Sequence, residues 1–395
     1  MEDLFAVQSG PAEPTEESTE HAPEPEIKFE DEQGEAAVEW EHLPPEREFF
    51  ATPYDPPVKA LVGEIRDKEL DIRPSFQRYA VWDRTRKSKF IESLLLNIPI
   101  PTLFFAEDED GSKVVVDGQQ RLLAVKEFLE NQYELRGLEV LSGLNDKRFD
   151  ELNERQQKLI RNRTLRCLII SARSDSEIRF QVFERLNQGG LVLNAQEVRH
   201  CIYRGPLNDL LHSLVIDPAW LTLLGLKVRH PRMNDCELLL RFFAIRASLP
   251  DYAPPLKTLL NDYMKNHRKA DGAEIAQLTE FFYSAIKPVA AVFDLLPFRR
   301  VFKDKNGKVV RDRSLNRAVF DVQMLVMEGL DPKWAAAHKE EIMAAFIVLC
   351  LEDQNFADSL SRATADKSRL ELRLATWKAK LVELGADLPA LSRLP

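Results

Sequence analysis

Strand-forming and helix-forming segments are segregated along this chain, and the segregation limits the folds open to it. Runs rich in β-branched and aromatic residues fall at Glu69–Ile72, Leu103–Ala106, Val114–Val116 and Thr164–Ser171. Between them, Val58–Ile65, Asp83–Leu96, the stretch after Asp117 and Asp175–Leu186 repeat apolar residues at helical spacing. From Asn194 onward the periodicity is almost entirely helical: Cys236–Ala247, Leu256–Met264, Ile275–Phe293, Asn316–Glu328, Trp334–Leu351 and Lys367–Leu384. Order is expected to begin near Tyr54. Strands alternating with helices, followed by helices alone, predict an α+β protein. It would consist of a compact α/β or α+β domain and a mostly α-helical C-terminal region.

Net charge refines this division. The chain carries −10 overall, but residues 1–48 hold 16 acidic residues against Lys28 and Arg47, so the remainder is slightly basic. That first segment also contains six prolines and few large apolar residues, a composition that cannot bury a core. It reads as a disordered acidic tail, either a solubilising leader or an arm that covers a basic surface of its own body. The expected organisation is therefore a tail over 1–48, an α/β domain over 49–204 and a helical region over 205–395. No apolar run approaches the ~18 residues of a membrane span, and Met-Glu-Asp-Leu-Phe lacks the start of a signal peptide. A soluble cytoplasmic protein is expected, with Cys167, Cys201, Cys236 and Cys350 dispersed as reduced thiols.

Lys113-Val-Val-Val-Asp-Gly-Gln-Gln-Arg-Leu-Leu-Ala-Val125 carries the main chemical signal. Its valines form a strand, and Leu122, Leu123, Val125, Phe128 and Leu129 form the face of a following helix, so Asp117–Arg121 sit on a strand-to-helix turn. Such a turn aims backbone N–H groups and a helix dipole at one point, and Gly118 permits close approach of a ligand. A phosphate is the natural occupant, with Arg121 reaching it, Gln119 and Gln120 offering neutral donors and acceptors, and Asp117 capping the helix. A plain capped turn explains the same five residues.

A second signal interrupts the helical half. Arg299–Arg313 predicts a β-hairpin turning at Asn306-Gly307. It carries Arg299, Arg300, Lys303, Lys305, Lys308, Arg311 and Arg313, which suit DNA or RNA phosphates or else form an ordinary charged surface. The acidic turn Glu107–Gly111 falls short of a calcium-loop spacing.

Three separated pieces combine into a pattern. They are Pro74-Ser-Phe-Gln-Arg78 with Trp82, Asp117-Gly-Gln-Gln-Arg121, and Phe183-Glu-Arg-Leu-Asn-Gln-Gly-Gly-Leu-Val-Leu-Asn-Ala-Gln-Glu-Val-Arg199, with Ser93–Pro101 between the first two. In this order they resemble the N-terminal domain of GmrSD-type restriction systems, within the ParB/sulfiredoxin-like superfamily, which implies an α/β domain with a small mixed sheet. The likeness is strong over about Tyr54–Arg204 and weaker through Arg232–Asp235, Leu256–Met264 and Asn316–Phe320.

The resemblance implies nucleotide chemistry in phage defence, in systems that sense or act on modified DNA. Gly118-Gln119-Gln120-Arg121 matches a turn that cradles a nucleoside triphosphate, so Asp117, Gln119, Gln120 and Arg121 are the expected catalytic group. Phe76, Gln77, Arg78, Gly118, Arg121, Asn187 and Gly189 are the expected nucleotide contacts. Asn187, Leu193, Asn194 and Glu197 match the spacing of a ParB segment that helps hold magnesium. Leu186 stands where that segment has a glutamate, which leaves Glu184, Asn187 and Glu197 as expected Mg2+ ligands. The histidines are scattered, with no His-Glu-x-x-His or cysteine framework. No HNH nuclease is expected in this chain, so any cleavage would come from a partner nuclease or from an unrecognised site. A homo-oligomer is compatible with the long helices. The enzymatic reading is a Mg-dependent nucleoside triphosphatase coupled to DNA recognition. The alternatives are a non-hydrolysing, nucleotide-gated DNA clamp or adaptor and, less favoured, direct DNA cleavage by the α/β domain.

Overall fold

The computed structural model describes residues 48–72, 82–186, 193–293, 297–361 and 365–388. The acidic segment up to residue 47, Phe76, Gln77, Arg78, Asn187 and Gly189 lie outside the described residues. The α/β part runs β1 (Ala51–Tyr54), α1 (Val58–Arg66), β2 (Leu70–Asp71), α2 (Arg84–Leu95), β3 (Leu103–Glu107), β4 (Lys113–Asp117), α3 (Gln119–Leu129), α4 (Glu154–Asn162), β5 (Cys167–Ile170) and α5 (Ser176–Leu186). Its five strands form one mixed sheet in the order β1-β5-β3-β4-β2. The pairs β1–β5 and β3–β4 are antiparallel, whereas β3–β5 and β2–β4 are parallel. The expected α+β class with a small mixed sheet and a helical C-terminal half is the observed one.

Alternation along the strands sends the two faces of the sheet into different cores. Leu103, Phe105, Val115 and Cys167 pack with α1 to α4. Ala106, Val114, Val116 and Ile170 point the other way and join the core of the C-terminal helices. The helical half is thus packed directly on the sheet.

That half contains α6 (Ala195–Ile202), α7 (Pro206–Leu214), α8 (Pro218–Leu224), α9 (Asn234–Ser248), α10 (Leu256–Asn266), α11 (Gly272–Val292), the hairpin strands β6 (Val301–Lys303) and β7 (Val309–Arg311), α12 (Arg317–Met327), α13 (Pro332–Ala337), α14 (Lys339–Glu352), α15 (Gln354–Ser359) and α16 (Lys367–Glu383). Trp220 anchors it, with Phe282, Phe298 and Phe320 around its ring. Among the described residues no helix is long and apolar enough to cross a membrane. All four cysteines are buried free thiols.

Two expectations change. Order extends before Tyr54, because Ala51–Tyr54 is an edge strand whose Pro53 is tolerated where no further partner is needed. The single helix expected over Trp334–Leu351 is broken at His338, whose ring stacks on Trp334 and whose Nδ1 lies 2.9 Å from the Trp334 carbonyl.

The acidic turn after β3 is a clasp. Asp108 and Glu109 both pair with Arg268, and Glu109 also pairs with Lys269 at 3.1 Å. Arg204 meets Asp71 at 2.6 Å. At this junction Gly205 has φ +143, and a Cβ there would lie 2.1 Å from the Arg268 carbonyl oxygen, so only glycine lets the two parts close up.

A buried turn before α9 makes stability pH-dependent. The His230 amide donates to Asp235 at 2.6 Å, and the Arg232 amide donates to His230 Nδ1 at 3.2 Å, which requires a neutral ring. Burial, helped by Arg232, pushes His230 from 6.5 down to about 4. A depressed pKa contributes stability that is fully present above pH 6.5 and is lost as pH falls through about 4. Burial raises Asp235 to about 6, which works in the opposite sense and is common to wild type and a His230 variant. Between pH 6.5 and 4 the thermal midpoint of wild type should fall further than that of His230→Gln. Equal falls would contradict this account.

Candidate functional site

The strand-to-helix turn is built as its residues dictate. β4 ends at Asp117, α3 starts at Gln119, and Gly118 joins them at φ 100 and ψ 8, a left-handed conformation that L side chains rarely adopt. A Cβ on Gly118 would sit 2.0 Å from Leu103 Cδ2, so Leu103 of the neighbouring strand fills the space beneath the turn. Gly118 is therefore required by backbone and packing before any ligand is considered. Gly118→Ala is expected to lower stability by about 2 kcal/mol, from left-handed strain plus overpacking. A melting curve unchanged from wild type would refute that geometry.

Asp117 does not cap α3. Gly118 is the N-cap and has no side-chain bond, while Asp117 accepts from Arg121 Nη2 at 2.7 Å, one helical turn on. Arg121 Nη1 also donates to the Pro101 carbonyl at the end of the Ile98–Pro101 loop. Two acceptors thus hold the guanidinium across the mouth of the turn, with 12% of its side chain exposed. An anion at the start of α3 would meet the positive end of the helix dipole and the Arg121 guanidinium, whose charge Asp117 offsets in part.

Both glutamines are engaged within the protein in this arrangement. Gln119 is buried at 7% exposure. Gln120 Oε1 accepts the Trp82 amide at 3.1 Å, tying the start of the segment before α2 to the turn. Trp82 packs its ring edge-on against Phe90, with Arg86 over it. Sequence reading gave Trp82 no role of its own. The signal was its place at the end of the first motif.

The third piece is explained locally. Asn194 and Glu197 form a capping box for α6: Asn194 Oδ1 accepts the Glu197 amide at 2.9 Å, and Glu197 Oε2 accepts the Asn194 amide at 2.7 Å. Arg232 binds both Glu197 oxygens at 2.9 Å. Burial raises the Glu197 pKa, against the pull of Arg232. Glu184 pairs with Lys257 at 2.8 Å. These carboxylates are committed to cations and amides, and among the described residues no group of three or more His, Cys, Asp or Glu side chains gathers as a metal site. Asn187, the third expected ligand, lies outside the described residues.

The basic hairpin forms with the expected turn, Val301 pairing with Arg311 and Lys303 with Val309. Arg299 is not on its surface. It is 3% exposed and donates to the Pro297 carbonyl at 3.2 Å, and burial brings its pKa down to about 10. Arg300 is half-buried against Asp312 at 3.2 Å. Lys303, Lys305, Lys308, Arg311 and Arg313 are exposed.

Residues 58–204 match the family model described as GmrSD restriction endonuclease, N-terminal domain. This GmrSD match begins on the first residue of α1 and ends beside Gly205, so it takes in β2 to β5 and α1 to α6 and contains the Gly118 turn. The helical half from α7 onward, with its hairpin, lies beyond the GmrSD-matched residues. No curated protein and no solved structure matches the chain.

Proposed function

We propose that the GmrSD-type domain binds a nucleoside triphosphate at the Gly118–Arg121 turn and serves a restriction-type phage-defence system in which nucleotide state is coupled to DNA recognition. The observation that carries this reading is the turn itself: a left-handed glycine delivers the α3 N-terminus, with Arg121 held across it by Asp117 and Pro101, inside the GmrSD-matched segment. The amides and helix dipole would take phosphate oxygens, and the planar Arg121 fork would orient the chain of phosphates. Lys303, Lys305, Lys308, Arg311 and Arg313 supply a separate basic surface for DNA phosphates.

One specific observation favours the non-hydrolysing clamp or adaptor as a second reading. Gln119 is buried and Gln120 holds the Trp82 amide, so neither is arranged in this conformation to orient an attacking water. A clamp would gate DNA binding by nucleotide occupancy and leave cleavage to a partner nuclease.

Phosphate release from each nucleoside triphosphate, measured with and without DNA, separates the two. Turnover that Arg121→Ala abolishes supports the triphosphatase. Binding without release supports the clamp, and absence of binding removes both.

A further inference from the structure

Trp82 stands at the rim of the Gly118 turn and neither reading above uses it. Its amide is one hydrogen bond from Gln120, the second residue of α3, so its ring lies within the span of one nucleotide from phosphates held at that helix end. The side chain is half-buried. Its indole is braced by Phe90, with ring centres 5.7 Å apart at 69°. The Arg86 guanidinium lies 4.9 Å from the ring centre, on an exposed side chain with a long stem. Among the described residues the indole packs edge-on against Phe90 and on the α1–α4 core, and the movable Arg86 guanidinium lies over the ring, where a second flat ring can take its place.

We infer that Trp82 and Arg86 form the nucleobase platform of this site, the base stacking on the indole with the guanidinium closing over it. This rests on the triphosphate reading above. Stacking needs about 3.5 Å on each side of the base, so Arg86 has to move outward by about 2 Å, which an exposed arginine does readily. The platform reads no base edge. It accepts purines and pyrimidines alike, because every base has a π face. Affinity would then divide between a phosphate part at the α3 N-terminus and a base part at Trp82.

The test compares inorganic triphosphate with ATP, GTP, CTP and UTP, measured by calorimetry on the full chain. Wild type should bind each nucleotide more tightly than triphosphate. Trp82→Ala should raise the Kd of all four nucleotides by about tenfold, the scale of one base–aromatic stack. Triphosphate binding should stay near wild type while the melting temperature falls with the lost Phe90 contact, and Trp82→Phe should restore most of the nucleotide affinity. Nucleotide affinity unchanged in Trp82→Ala would overturn the platform. So would equal loss of nucleotide and triphosphate with no rescue by phenylalanine, since that pattern marks Trp82 as a packing residue. Failure of wild type to bind triphosphate at all would instead remove the underlying phosphate reading, which is a different result.

Discussion

Replacing Asp321 by alanine is expected to lower stability by about 3–5 kcal/mol, the cost of orphaning a buried charge partner. Asp321 on α12 receives Arg241 from α9 through two bonds of 2.7 Å and Arg373 from α16 through a third of the same length. All three side chains are at most 2% exposed. Burial lowers the Arg373 pKa, and Asp321 is the group that holds it charged. Without the carboxylate, two guanidiniums would face each other in the core of the helical half. Asp321→Asn keeps the shape and one acceptor oxygen but not the charge, so it should fall between wild type and alanine in chemical denaturation. A loss below about 1 kcal/mol for Asp321→Ala, the scale of an exposed pair, would mean that the triad does not hold these helices together.

The second large effect is on binding. Arg121→Ala should raise the Kd for a nucleoside triphosphate by about 10- to 100-fold, the equivalent of one or two charge-assisted hydrogen bonds. Folding should survive it. The Arg121–Asp117 pair is an i,i+4 contact, and its carboxylate is 37% exposed, so Asp117 rehydrates when the arginine is removed. With its carboxylate part-exposed, such a pair contributes about 1 kcal/mol or less. Binding and stability are therefore separable at this position, as they are not at Gly118, where the substitution disturbs the backbone and Leu103 together.

Local periodicity was the readable part of this fold. Val114 to Val116 alternate between two cores as a strand with both faces covered must, and Gly118 takes the left-handed conformation that a one-residue turn between strand and helix demands. Where reading by type failed, a partner distant in sequence decided the outcome. Arg299 belongs to a basic run, yet Phe298 and Val301 beside it are core residues and draw it inward. Glu197 has the spacing of a metal-site residue; an i,i+3 box with Asn194 produces the same spacing, and Arg232 donates to both of its oxygens. The acidic turn at Glu107–Gly111 is made a clasp by Arg268, some 160 residues away, which no local pattern announces. Gln120 keeps its place in the turn while its carbonyl serves Trp82.

Calorimetric titration of the full chain with a non-hydrolysable nucleoside triphosphate, wild type beside Arg121→Ala, tests the phosphate-binding turn most directly. The account predicts saturable binding to wild type, weakened about 10- to 100-fold in the variant with little change in melting temperature. Equal affinity in the two proteins would contradict it.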